Sequence, residues 1–329
     1  MFKAISLALL VAVWVAAPAP ASAAGHSLSH GSRRHAPVVD QGVLNAEVLL
    51  ARAGFSPGTI DGRDGDNFAK ALHAFQQVNG LPVGRLDAAT SQLLAQTSDQ
   101  PVLTTYVVQP QDLAGPFQPV IPVDYVQMAQ LPRLGYRSPR QELAERFRMS
   151  EGLLAALNPN ADFARPGTTI QVANVTPLPD QDPKAPAPRQ APKAARIVVD
   201  KRNHSVLAFD ADNRLLGFFP ASIGSAEKPA PTGALEVRSI DYDPDYTYDP
   251  AYGFRGQTAE KKVTVQPGPN NPVGLVWIGL SEKGYGIHGT PDPDSVGKTQ
   301  SHGCVRLTNW DALTLAGLTR RGTPVEFTD

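Results

Sequence analysis

The spacing of hydrophobic positions changes several times along the chain. An unbroken apolar run over residues 4–17 follows Lys3 and gives way to proline, alanine and serine up to Ala23. Val43, Leu44, Ala46, Val48 and Leu49 then predict a short helix closed by Gly54. Ile60, Asp61 and Gly62 form a turn. Phe68, Ala71, Leu72 and Phe75 repeat at the i, i+3, i+4, i+7 spacing of an amphipathic helix, with Gly80 as its stop. Asp87 is placed to cap a third helix that buries Leu93 and Leu94. Residues 40–97 thus predict a small three-helix bundle.

The next stretch, residues 104–175, is less periodic. Ser138 opens a helix with Glu142 early in it and Leu143, Ala144 and Phe147 on its apolar side. Residues 148–150 break that helix, residues 151–157 form another, and Pro166-Gly167 lead into a strand over 169–172. Prolines at 177, 179, 183, 186, 188 and 192 make residues 176–195 a semi-rigid tether. From Arg196 the pattern changes to short apolar strand runs that alternate with polar turns. Strands are expected over 197–199, 206–209, 215–219, 221–224, 234–240 and 275–280, and a last one over 323–327. Residues 241–262 form a long excursion of the kind used as a lid or binding wall. Thr308 and Asp311 start a helix before the final strand. The fold class is multidomain α+β.

Composition narrows the setting. A net charge of −1 over 329 residues gives no global field toward nucleic acid or anionic lipid, so neither is expected as a partner. Residues 1–23 have the pattern of a signal peptide cleaved after Ala23. Their apolar run is short of the roughly 20 residues that span a bilayer, and no cysteine sits beside the cleavage point. The expectation is export to the periplasm or cell wall without a stable membrane anchor. Residues 24–39, with His26, His30, His35 and the pair Arg33-Arg34, are expected to be a mobile N-terminal segment. A single cysteine, Cys304, allows no internal disulfide.

The chemistry concentrates at Gly-Ile-His-Gly-Thr-Pro, residues 286–291, and Ser-His-Gly-Cys-Val-Arg-Leu, residues 301–307. A thiol attacks a carbonyl as thiolate, of which a cysteine with pKa about 8.5 supplies a few per cent near neutrality. An imidazole within reach, His288, raises that fraction and can return the proton to a leaving amine. Gly303 clears space before Cys304, so N–H groups of residues 302–304 can converge on an oxyanion. Arg306 adds fixed positive charge for a carboxylate or a thiolate. If residues 302–307 are extended, His302, Cys304 and Arg306 share one face. A zinc site of His288, His302 and Cys304 lacks a fourth ligand at recognisable spacing, so no metal and no cofactor is expected.

The whole string resembles the L,D-transpeptidase (YkuD-type) catalytic domain, whereas papain-like and related cell-wall cysteine peptidases place cysteine before histidine. Pro231-Thr-Gly, Asn-Pro-Val-Gly-x-x-Trp-Ile from Asn271 and the terminal Gly-Thr-Pro-Val extend the resemblance over about residues 195–328. It implies a mostly-β catalytic domain, residues 196–329, acting on peptidoglycan. Cys304 would attack the diaminopimelate carbonyl of a tetrapeptide stem and expel D-alanine, with His288 as base and then acid. The Gly289 carbonyl would orient His288, and the N–H groups of His302, Gly303 and Cys304 would form the oxyanion hole. Ser301 would support the loop, Arg306 would hold a stem carboxylate, and Tyr285 would line the groove. An amine acceptor would give a 3→3 cross-link or attach a protein to the wall; water would make a carboxypeptidase. A non-catalytic wall-binding protein is the remaining alternative. Gly58-Thr-Ile-Asp-Gly62 with Ala71 to Pro82 resembles the peptidoglycan-binding-domain-1 family. Residues 104–175, with Met-Ser-Glu-x-Leu-Leu-x-x-Leu-Asn-Pro and Pro-Gly-x-x-Ile-x-Val, resemble a LysM module that lacks the usual opening Gly-Asp-Thr.

Overall fold

Helix starts follow from local capping. In the computed structural model, which describes residues 39–178, 192–225, 228–254, 256–301 and 303–329, α1 (Gln41–Arg52) begins where Asp40 accepts from the N–H groups of Gly42 and Val43. The expected signal peptide, most of the segment that follows it, the middle of the proline-rich stretch and His302 lie outside the described residues. Helix α2 (Asp66–Val78) buries Phe68, Ala71, Leu72 and Phe75, the four positions its periodicity marks. Asp87 accepts from the Thr90 N–H at 2.7 Å and starts α3 (Ala88–Gln96).

Strand β1 (Leu103–Val107) follows, then the four-residue helix α4 (Tyr125–Met128), α5 (Pro139–Arg146), α6 (Glu151–Leu157) and β2 (Thr169–Ala173). Strands β1 and β2 pair antiparallel, with Thr105 opposite Gln171. Ser138 and Ser150 accept from Gln141 N–H and Leu153 N–H at the starts of α5 and α6. Helix α1 is shared between two cores. Val43, Leu49 and Leu50 pack with α2 and α3, while Leu44 and Val48 pack with Leu143, Leu154, Ile170 and Val172.

The C-terminal half contains β3 (Arg196–Asp200), β4 (Ser205–Phe209), β5 (Leu215–Pro220), β6 (Ser222–Ile223) and β7 (Gly233–Tyr242). The hairpin strands β8 (Tyr246–Tyr248) and β9 (Val263–Val265) come next, then β10 (Val276–Leu280), β11 (Gly286–His288), β12 (Val305–Arg306), α7 (Asn309–Leu318) and β13 (Pro324–Thr328). Nine strands form one sheet in the order β5-β4-β3-β13-β7-β10-β11-β12-β6. Its core includes Ile197, Val206, Ile278, Ile287, Val305 and Val325, and α7 packs Ala312, Leu315 and Ala316 against it. The chain is thus a mixed helix-and-sheet protein with a helical N-terminal region and a mostly-β C-terminal domain. Among the described residues no helix is long and apolar enough to cross a membrane.

The expected tether does not keep the N-terminal elements at a distance. Ser56 N–H donates to Phe218 O and Phe218 N–H to Gly54 O, both at 2.9 Å, and the Phe218 ring enters the core of the helical bundle. Burial of apolar surface at that junction outweighs the freedom an extended linker would retain. Phe218→Ala is expected to lower the unfolding free energy by about 3–5 kcal/mol in urea titration. A loss below about 1 kcal/mol would mean that the bundle does not pack on the sheet.

Candidate active site

Strand register builds the site. Trp277 stands opposite His288, and Gly279 opposite Gly286, across the antiparallel β10–β11 pair. His288 stands opposite Arg306 across the parallel β11–β12 pair. Because side chains alternate, Trp277, His288 and Arg306 project from one face, while Ile278, Ile287 and Val305 fill the core behind them. Cys304 precedes β12 directly, and the Gly286 N–H reaches its sulfur. Cys304, sixteen positions after His288 in the chain, is thereby brought beside β11, the strand that ends at His288. The Trp277 ring lies across Gly286, where a Cβ would fall 2.5 Å from it, and stacks on His288 at 5.5 Å and 18°.

The electrostatics favour an uncharged pair at rest. His288 is buried, and burial first, then the Arg306 charge, lowers its pKa to about 4. Its Nδ1 lies 2.6 Å from the Gly289 carbonyl oxygen. A carbonyl only accepts, so Nδ1 carries the proton and Nε2 keeps its lone pair. Burial pushes the Cys304 thiol up, against the Gly286 N–H and Arg306, and its sulfur is 3.8 Å from the Gly284 oxygen. The Cys304 residue remains partly exposed. Burial lowers the Arg306 pKa, opposed by Asp292, Tyr125 and Cys304, and its Nε has no hydrogen-bond partner among the described residues.

Gly303 and Cys304 depart from the expected extended strand. Only Val305 and Arg306 are in β12, and Gly303 adopts φ +107°, where an L side chain is strained. The alternation argument therefore does not reach His302, which lies outside the described residues. A Cβ on Gly303 would also fall 3.2 Å from the Tyr285 ring, which places Tyr285 against this loop. Ser301 is buried, and its hydroxyl donates to the Cys304 carbonyl rather than facing the groove. The Ser301 N–H donates to Gly224 O at 3.0 Å, tying the loop to the end of β6.

Several contributors escaped the sequence reading. Asn309, the first residue of α7, lies between Gly274 and Gly289; a Cβ on either would fall 2.0 or 2.2 Å from its Oδ1. Its Nδ2 donates to Glu145 Oε1 of α5 at 2.7 Å. Tyr125 of α4 packs on Tyr248 and Tyr246, with ring centroids 4.8 and 5.5 Å away. The segment holding α4 is clamped to the 241–262 excursion by Arg133, which pairs with both Asp243 carboxylate oxygens at 2.7 and 3.0 Å. Asp124 adds a second clamp by accepting from Thr258 N–H and Oγ1. A buried glutamate outside the catalytic motifs reads in sequence as the solvent face of a helix. Asn309 could have been suspected from its place directly after the Arg-Leu-Thr string.

Two known families match parts of the chain. The YkuD family, described as "L,D-transpeptidase catalytic domain", matches residues 194–327, and PG_binding_1, "Putative peptidoglycan binding domain", matches residues 39–94. "Putative L,D-transpeptidase YqjB" of Bacillus subtilis is 33% identical over 139 residues, covering 40% of this chain and 70% of that protein. "Putative L,D-transpeptidase YkuD" of Bacillus licheniformis is 32% identical over 133 residues, covering 40% of this chain and 65% of that protein. The solved L,D-transpeptidase from Mycobacterium smegmatis aligns at 23% identity and TM-score 0.33, over 40% of this chain and 58% of that one. The chain belongs to the YkuD L,D-transpeptidase family. It spans just under two thirds of the length of the Bacillus licheniformis relative.

Glu145 supplies a stability test. Burial raises its pKa from 4.5 to about 7, so between those values the folded state holds a proton that the unfolded state has released. Its contribution is therefore full below about pH 4.5 and is lost as pH rises through about 7. Relative to Glu145→Gln, wild-type stability is expected to fall by about 3 kcal/mol between pH 4 and 8. Parallel stability–pH curves for the two proteins would contradict this.

Proposed function

We propose that this protein is a peptidoglycan L,D-transpeptidase, a cysteine acyltransferase. The observation that carries the reading is that His288 and Arg306 share one face of the β11–β12 pair, while Cys304, directly before β12, meets the Gly286 N–H of β11. The donor is the tetrapeptide stem. As the Cys304 sulfur bonds to the diaminopimelate carbonyl carbon, its proton passes to His288 Nε2. The oxyanion is held by N–H groups of residues 302–304. The tetrahedral intermediate collapses, the bond to D-alanine breaks, and His288 protonates the departing amine. An amine acceptor then attacks the thioester, giving a 3→3 cross-link or a wall-attached protein and releasing the thiol.

Arg306 gives this cycle a substrate dependence. Its charge disfavours the imidazolium that the first step creates. A stem carboxylate seated on the guanidinium neutralises that charge and eases proton transfer to His288. The base thus becomes competent when the correct donor is bound. Gly289 O and Tyr285 support the histidine and the Cys304 loop, and Ser301 closes that loop from behind.

The N-terminal elements fit wall binding. Residues 39–94 would hold the peptidoglycan. The antiparallel pair β1 and β2, with α5 and α6 between them after the short α4, favours the LysM-like reading of the second unit. Export to the periplasm or wall follows from the substrate and from the N-terminal sequence pattern.

Cys304→Ala is expected to abolish turnover of tetrapeptide muropeptides while leaving wall pull-down unchanged, both read by mass spectrometry. Retained turnover in this variant would refute the mechanism. Omitting the amine acceptor separates transfer from hydrolysis. A carbapenem is expected to leave one covalent adduct, located at Cys304. Arg306→Met is expected to raise the His288 pKa above about 4, short of its ordinary value because burial remains. An NMR titration that gives the same midpoint in both proteins would remove the proposed role of Arg306.

A further inference from the structure

The Asn309 amide is oriented by groups that allow only one arrangement. Its Oδ1 accepts from the Leu275 N–H at 3.1 Å, which requires an oxygen there. Its Nδ2 donates to the Pro269 carbonyl at 3.1 Å and to Glu145 Oε1 at 2.7 Å, which uses both amide hydrogens. Tyr136 supplies a second donor to the same glutamate oxygen at 3.4 Å. All four residues around this amide are buried or nearly so, with Asn309 at 1% and Glu145 at 4% exposure. Unmet hydrogen-bonding groups here would be expensive, so the arrangement is strongly held.

The oriented oxygen packs into the backbone of the catalytic loop. The two glycine contacts already described leave no room for a side chain at residue 274 or 289. At Gly274 a Cβ would also meet Gly289 C and Thr290 N at 2.7 Å, so these peptides interlock. The Gly289 carbonyl is the group that accepts the His288 Nδ1 proton. A shift of the Asn309 amide would therefore move the peptide that selects the His288 tautomer.

We propose that Glu145, carried by helix α5 of the N-terminal half, is a positioning residue for His288 and acts through Asn309. The proposal rests on the reading of His288 as the general base. Losing the acceptor frees the Asn309 amide to turn or shift, which loosens the Gly289 peptide and allows the other imidazole tautomer. Catalytic competence then depends on the docking of α5 against α7.

The test uses the full chain as wild type, Glu145→Gln and Glu145→Leu, with folding checked by thermal melting. Glutamine keeps an acceptor oxygen toward Asn309; leucine removes it at similar size. The readouts are the rate of Cys304 acylation by a carbapenem, followed by intact mass, and the 15N shifts of the His288 ring. Glu145→Gln is expected to remain within about twofold of wild type, whereas Glu145→Leu slows acylation about 10- to 100-fold. The His288 shifts in Glu145→Leu should move from an Nδ1-protonated pattern toward a tautomer mixture. If Glu145→Leu does not fold, Asn309→Asp makes the same test, since it removes the donor that faces Glu145. Wild-type acylation in the folded variant overturns the proposal, and so does slowed acylation with an unchanged His288 pattern. Absence of acylation in the wild type would instead count against the transpeptidase reading.

Discussion

The parallel pairing of β11 with β12 is the constraint on which the site depends. One residue of slip would turn His288 or Arg306 into the core and bring Ile287 or Val305 out. That slip is blocked from behind, because Ile287 and Val305 are completely or almost completely buried among other apolar side chains. Hydrophobic burial on one face thereby sets the chemistry on the other. The Trp277 ring adds a lateral limit: it occupies the space over Gly286 and backs His288, so the imidazole has a fixed plane as well as a fixed strand position.

A second polar layer lies under the helix that follows the catalytic strand. Asp311, in the first turn of α7, accepts from Ser56 Oγ at 2.8 Å, and the positive Arg148 opposes the rise in its pKa. Ser56 belongs to the helical bundle, Arg148 to the turn between α5 and α6, and Asp311 to the catalytic domain. Buried charged groups of this kind add little net stability over an apolar core, but removal of one partner is costly. Their effect is to accept one docking arrangement and penalise others. Asn67 of α2 reinforces it by donating to Val296 O at 2.8 Å, within the loop that separates His288 from Cys304.

What could be read in advance was local or strictly periodic. Asp87 and Ser138 satisfy N–H groups three residues away, so their caps depend on nothing distant. The core positions of α2 and the apolar runs of β3, β4 and β5 were equally plain. Strand β1 was not, because Leu103–Val107 becomes a strand only by pairing with Thr169–Ala173, far along the chain. Helix α4 has four residues and no period to detect; Asp124 and its contacts to Thr258 fix it in place. The strings around His288 and Cys304 were visible as a motif, while the turn at Gly303 was not, since alternation assumes the extended backbone that a φ of +107° abandons. Glu145 was hidden for a related reason: Asn309 and Tyr136, which its carboxylate meets, lie outside its own helix.

These features explain how a low-dielectric site can hold a thiol and an imidazole without premature reaction. Burial raises one pKa and lowers the other, so proton transfer between them is unfavourable in the resting protein. A site tuned to a resting ion pair would expose a reactive thiolate to any electrophile that entered. Here Arg306 adds an opposing charge to the histidine, so an imidazolium at this position is disfavoured until that charge is offset. The cost is that the histidine must be held accurately while uncharged, when no strong ionic attraction guides it. That makes the backbone carbonyl at Gly289, and whatever fixes that peptide, more important than in an ion-pair design.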